Sequence, residues 1–191
     1  MDQVVTFIDG ACEPKNPGGV ATYGFVVYLD GKEVGRGSGL ATEPWTERAS
    51  NNVAEYTALI RALEELLVLG LEQSDVEVRS DSRLLVRQVN GEYAVNAARL
   101  KPLHKRVNEL LPQFERLRLK WVPREENTKA DALTRDAYAS YLQAYPNRAD
   151  SATASLRPSD VENVFVFCSQ CGTKIPADSR FCKECGARLA Q

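Results

Sequence analysis

No stretch of the 191-residue chain approaches the roughly 18–20 consecutive apolar residues that a membrane-spanning helix requires. The start, Met1-Asp2-Gln3, lacks the basic charge of a secretory signal and runs straight into an alternating strand pattern. Export is not expected. A cytoplasmic setting follows, in which the five cysteines stay reduced. Nor is there an excess of positive charge, since 24 Lys and Arg face 26 Asp and Glu, a formal net of −2. That excludes nucleic-acid affinity from bulk charge and leaves only a local basic face. No repeat of the solenoid kind is present. Histidine is nearly absent: the only one, His104, lies in the helical text KPLHKRVNELL and reads as a solvated helix residue. With 43% hydrophobic and 26% charged residues, the chain is close to globular averages and is not expected to be disordered throughout.

Composition divides the chain. Residues 147–163, NRADSATASLRPSDVEN, are rich in Ala, Ser, Asp and Pro without apolar periodicity, which reads as a flexible linker. They separate a body, residues 1–146, from a cysteine-dense module, residues 164–191. In the body, VVTFID (4–9) alternates as a strand, and residues 22–41 read as two strands joined at Asp30-Gly31, a tight hairpin dipeptide. Residues 52–69 carry Leu59, Ala62, Leu63 and Leu66 at helical spacing, with Gly70 as a stop. A strand at 76–80, helical text at 82–89 and 100–111, a strand at 118–123 and a helix at 130–145 complete the pattern. Three hairpin-linked strands followed by alternating helices and strands predict an α/β domain, a mixed sheet with helices on its faces.

Four acids stand out by position. Asp9 ends an otherwise apolar strand face, and Glu55 lies on the helix stripe that leans toward the sheet. Asp81 closes a strand. Asp131 falls in the first turn of the last helix, after Asn127 and Thr128, either of which can cap it. Where the first and fourth strands run parallel, ligands collect beyond their carboxyl ends, the position of Asp9 and Asp81. Carboxylates facing a core are costly and repel one another, and a divalent cation relieves both penalties. Oxygen-only donors suit Mg²⁺ or Mn²⁺. Each acid taken alone reads equally as a cap, a turn residue or an ion-pair partner.

The segments FIDGACEPKNPGG (7–19), ASNNVAEYTALI (49–60), RSDSRLLVRQ (79–88) and WVPREENTKADAL (121–133), in that order, resemble a type 1 ribonuclease H over about residues 3–143. The resemblance implies a ribonuclease H-like five-stranded mixed sheet and a site of two Mg²⁺ or Mn²⁺ ions held by Asp9, Glu55, Asp81 and Asp131. It implies hydrolysis of the RNA strand of an RNA–DNA hybrid, leaving 5′-phosphate and 3′-hydroxyl ends. A monomer is expected. Asn16, Asn51 and Asn52 match positions that contact backbone and 2′-hydroxyl groups in similar enzymes. Arg48, Ser50 and Asn16 resemble a pocket for a DNA-strand phosphate, and Arg83 stands where many relatives carry Gln. Local readings compete: Ser50 or Asn51 can cap the helix, and Asn16-Pro17-Gly18-Gly19 is turn chemistry in itself.

Two departures from that pattern follow. Relatives often place a mobile His before the last acid; here the loop is VPREEN, with Arg124 as the candidate replacement or else a turn residue paired with Glu125 or Glu126. Arginine can contact phosphate but cannot serve as a base near neutrality. The long basic handle of some relatives is absent between Val89 and Leu100, so Arg99, Lys101, Lys105 and Arg106 either grip the hybrid or form a solvated face. The rival readings are a catalytically silent hybrid-binding adaptor and a nuclease that also cuts double-stranded RNA.

In the tail, Cys168-x2-Cys171 and Cys182-x2-Cys185 are ten residues apart, and each second Cys precedes a Gly. This resembles a zinc ribbon holding one structural Zn²⁺ by four cysteines, with possible protein or nucleic-acid contacts. Cys12, beside the acids, reads as a small packed residue.

Overall fold

The computed structural model describes residues 3–146, together with residues 165–167 and 174–176. Three strands open the chain: β1 (Gln3–Glu13), β2 (Val20–Leu29) and β3 (Lys32–Leu40). The β2–β3 turn is Asp30-Gly31, with φ of 48° and 79°, the paired left-handed conformation that suits a two-residue hairpin. Then come α1 (Asn51–Val68), β4 (Asp75–Ser80), α2 (Arg83–Val89) and α3 (Lys101–Leu110). β5 (Arg116–Trp121) and α4 (Thr128–Ala144) close the body. Two further strands, β6 (Phe165–Phe167) and β7 (Lys174–Pro176), pair antiparallel as a sheet of their own.

The main sheet has the order β3-β2-β1-β4-β5. β1 pairs antiparallel with β2 and parallel with β4, and β4 pairs parallel with β5, so the expected mixed five-stranded sheet is present. α1 supplies much of the core. Its Leu59, Leu63 and Leu66 are fully buried against Val4 and Ile8 of β1 and Val76 and Val78 of β4. Each such leucine is worth about 1.5–3 kcal/mol of burial. Gly70, at φ +70°, ends α1 in the left-handed conformation that needs no Cβ. Along β1, Ile8 and Gly10 face α1, whereas Asp9 turns to the other face, toward α4.

Two glycines bring both helices onto the middle of β1. A Cβ on Gly10 would lie 2.2 Å from the Glu55 backbone nitrogen. A Cβ on Gly24, the cross-strand partner of Asp9, would lie 2.7 Å from the Ala130 carbonyl of α4. One expectation is corrected here. Asp9 does not end its strand: β1 continues to Glu13, paired with β2, after its pairing with β4 stops at Ile8 and Ser80. The extension Gly10-Ala11-Cys12-Glu13 has no apolar alternation to announce it, and the ladder to Val20–Tyr23 holds it in place.

Candidate active site

The overrun of β1 past β4 makes a notch at the carboxyl edge of the sheet, and three carboxylates converge there. Asp9, Glu55 and Asp81 each offer an oxygen within 4.8 Å of the others. Asp9 is 7% exposed and Glu55 9%. The Thr134 hydroxyl of α4 donates to Asp9 Oδ2 at 3.1 Å, and the Ser80 hydroxyl donates to Glu55 Oε2 at 3.4 Å. The Asn127 amide donates to Asp81 Oδ1 at 2.9 Å.

Burial above all, then the neighbouring Asp81 charge, pushes the Asp9 carboxyl up to about 6, with Thr134 opposing and Asp131 adding to the rise. Glu55 is pushed well above the ordinary carboxylate range, first by burial and then by Asp9 and Asp81. Two close, buried acids that resist ionisation, with a third carboxylate beside them, are an arrangement that a bound cation would relieve. The all-oxygen donor set suits a hard divalent ion. The residues fit.

Asp131 lies outside this trio. Its Oδ1 accepts from Arg124 at 2.8 Å, and its Oδ2 pairs with Arg135, one turn along α4, at 2.5 Å. Asp131 raises Arg124 further above its already high range, so that guanidinium stays charged; its side chain is 77% exposed. The Arg124 pairing expected with Glu125 or Glu126 is replaced by this contact.

A cleft of about 450 Å³ opens beside the acids, lined by Asn51, Asn52, Glu55, Asp81, Arg83 and Arg124 among others. Trp121 closes one wall: its indole N–H donates to the Asp81 carbonyl at 3.1 Å, and the Arg83 guanidinium lies 4.3 Å over its ring. Asn16 and Ser50 meet at the start of α1. Ser50 is fully buried and its hydroxyl caps Val53 N–H at 3.4 Å, while Asn16 Oδ1 accepts from Asn51 N–H at 3.0 Å. Arg48 is exposed two residues before that cap.

His104 is only partly exposed to solvent. It is half-buried, edge-on to Tyr56 at 6.3 Å and within 3.2 Å of the Asn108 amide. In the nearby basic cluster, Arg106 is tied to Glu64 of α1 at 3.0 Å and to Glu109 at 3.6 Å. Cys12 is buried and free, its thiol directed at the Lys15 carbonyl, and burial raises its pKa.

Sequence reasoning missed Ser80, Trp121, Thr134 and Arg135, and it read Asn127 only as a cap. Arg135 carried a signal, the i,i+4 spacing from Asp131. The others reach partners distant along the chain: Thr134 meets Asp9 across 125 positions and Asn127 meets Asp81 across 46. The expected zinc ligands Cys168, Cys171, Cys182 and Cys185 lie outside the described residues.

Comparison with known proteins matches the same two parts of the chain. A family model described as reverse transcriptase-like matches residues 8–137, and one described as a zinc-ribbon domain matches residues 167–189. Ribonuclease HI of Halobacterium salinarum is 38% identical over 135 residues, 71% of this chain and 64% of that protein. The bifunctional protein Rv2228c of Mycobacterium tuberculosis is 40% identical over 105 residues, 55% of this chain but only 28% of that protein. The chain thus spans less than two thirds of either relative. Among solved structures, LC11-RNase H1, isolated from compost and crystallised with an RNA/DNA hybrid, superposes with a TM-score of 0.65 at 36% identity, covering 73% of this chain and 99% of that one. The sheet order, the converging acids and these matches agree: the chain belongs to the reverse transcriptase-like family and has the ribonuclease H fold.

Proposed function

We propose that the protein is a metal-dependent endoribonuclease that hydrolyses the RNA strand of RNA–DNA hybrids, leaving 5′-phosphate and 3′-hydroxyl ends. The observation that carries this reading is the convergence of Asp9, Glu55 and Asp81 within 4.8 Å beside a polar cleft. Asp9, Glu55 and Asp81, with Asp131, would hold two Mg²⁺ or Mn²⁺ ions, which supply Lewis acidity at the scissile phosphate and an acidified water.

The chain's own groups do the rest. The Asn51 and Asn52 amides donate and accept, which matches the 2′-hydroxyl that distinguishes RNA from DNA. Asn16 spends its oxygen on α1 and keeps its amide protons for a phosphate, with Arg48 exposed two residues before the cap; Ser50 holds the helix start that presents Asn51 and Asn52. Arg83, stacked on Trp121, offers a fixed guanidinium to the strand, and Arg124 neutralises phosphate charge without acting as a base.

In the same reading residues 1–146 are the catalytic domain, 147–163 a linker and 164–191 a zinc ribbon. Its four cysteines, all within the matched segment, bind one structural Zn²⁺ as thiolates kept reduced in the cytoplasm. The ribbon adds contacts to hybrid or to a protein partner, and the enzyme acts as a monomer.

The deciding experiment is cleavage of an end-labelled RNA–DNA hybrid by the full chain in Mg²⁺, with a chelator control and a double-stranded RNA arm. Cutting confined to the RNA strand of the hybrid is expected. Hybrid binding with no cleavage in either Mg²⁺ or Mn²⁺ would leave an adaptor and sink the proposal.

A further inference from the structure

We infer that Asn127 is a positioning residue of the acidic site: its buried side chain ties Asp81 to the strand that carries Asp9, and its main-chain carbonyl holds the turn that carries Asp131. The inference rests on the metal-binding reading above. Asn127 occupies the N-cap position of α4, where an Asn side-chain oxygen ordinarily accepts from the helix's first free N–H groups. It makes no such bond. Its Nδ2 instead donates to the Ile8 carbonyl and to Asp81 Oδ1, both at 2.9 Å. Ile8 is the residue before Asp9. The Asn127 main-chain carbonyl accepts from Asp131 N–H at 3.1 Å, which fixes the turn that carries the fourth acid.

The chemistry admits few substitutes. One amide nitrogen supplies two protons from a single atom, whereas Ser or Thr supplies one and ionised Asp none. The residue is fully buried, and its Oδ1 has no hydrogen-bond partner. Turning the amide over would set that oxygen against a carbonyl and a carboxylate, so the orientation is fixed. Stability alone would not use an Asn this way, because the arrangement forgoes a helix cap and leaves a buried oxygen unpaired. What it secures is Asp81. Any like charge on Asp9 or Glu55 pushes that carboxylate outward, and the Asn127 bond holds it beside them. Partners that orient metal ligands in this way typically matter about 10- to 100-fold in metal affinity.

The test compares the full chain with Asn127→Asp, which keeps the shape but removes both donors, and Asn127→Ser, which keeps one. Mn²⁺ binding to the substrate-free protein is measured by calorimetry, alongside the Mg²⁺ concentration for half-maximal cleavage and the KM for hybrid at saturating metal. The expected result is Mn²⁺ binding weakened about 10- to 100-fold in Asn127→Asp and less in Asn127→Ser. The Mg²⁺ requirement should rise in the same order while KM for hybrid stays unchanged. Folded variants that bind Mn²⁺ as tightly as the parent would overturn the inference, and if Asn127→Asp does not fold, Asn127→Ser decides alone. A parent chain that binds Mn²⁺ yet cuts no hybrid would remove the proposed activity and leave the positioning role to stand on the binding data. A parent that binds no Mn²⁺ would overturn both.

Discussion

At the scale of single residues, Asp9 carries the most. It sits between α1 and α4, accepts from Thr134, and bears the repulsion of Asp81 and Asp131. Asp9→Asn keeps the size and removes one carboxylate charge from the set that would hold the ions. Turnover should fall by several orders of magnitude, while hybrid binding, which the proposal assigns to cleft residues such as Asn51, Asn52 and Arg83, should largely survive. Cleavage kinetics and a binding assay on one preparation check both halves, and near-normal cleavage would refute the metal site. Arg124 makes a smaller claim. Its exposed guanidinium grips Asp131 and can swing to phosphate, so Arg124→Ala should slow cleavage on the order of tenfold without abolishing it. Because arginine does not titrate near neutrality, the pH–rate profile should keep its shape, and a changed profile would give Arg124 another task.

At the scale of elements, the site depends on how closely two helices approach one strand. Gly24 sets the distance for α4. An added Cβ would meet the Ala130 carbonyl at 2.7 Å and Leu133 Cβ at 2.8 Å, backbone and near-backbone atoms with no room to yield. Gly24→Ala should therefore cost about 1–3 kcal/mol, the usual penalty of overpacking, and displace Asp131 and Thr134 from Asp9. Thermal unfolding and the Mg²⁺ requirement report the two effects, and a variant unchanged in both would show that α4 can move freely.

The elements also show what the sequence makes legible. The leucine stripe of α1 and the Asp30-Gly31 turn announced themselves through periodicity and turn chemistry, which are local. Four acids at strand ends and helix starts were legible as candidates for the same reason. The overrun of β1, the wall made by Trp121 and the bonds of Asn127 and Thr134 were not, because each depends on partners that only the sheet order brings together. Ser50 is a case where both readings meet: it caps α1, and it does so at the edge of the cleft.

At the scale of the whole molecule, the buried acids set a pH dependence. Asp9 ionises near its ordinary 3.8 when unfolded and at about 6 when folded, so the folded state holds the extra proton between those values. Stability without metal should thus fall as pH rises from about 4 to 6, by about 3 kcal/mol from Asp9 alone, with Glu55 acting in the same direction. A divalent ion removes that cost. Mg²⁺ should consequently raise the melting temperature more at pH 7.5 than at pH 5, and an equal rise at both would contradict the electrostatics. The proposed division of the chain gives a further expectation. A protein ending at residue 146 retains the sheet, the four helices and all four acids, so it should fold and cut hybrid with similar kcat, KM rising by a few-fold at most. Loss of kcat by orders of magnitude in a folded truncation would mean that the ribbon belongs to the catalytic unit.

The overrun of β1 has one more consequence, for how the protein fails. Asp9 lies midway along the central strand, laddered to β2 on both sides of itself, and not on a loop or a fraying end. Local openings that disable many sites release a terminus or a surface segment at little free-energy cost. Here the backbone that presents the central carboxylate can come loose only when the β1–β2 ladder opens, which is close to dissolving the sheet. Inactivation by heat or denaturant should coincide with the cooperative unfolding transition, and the catalytic strand should be among the last parts of the molecule to exchange its amide hydrogens.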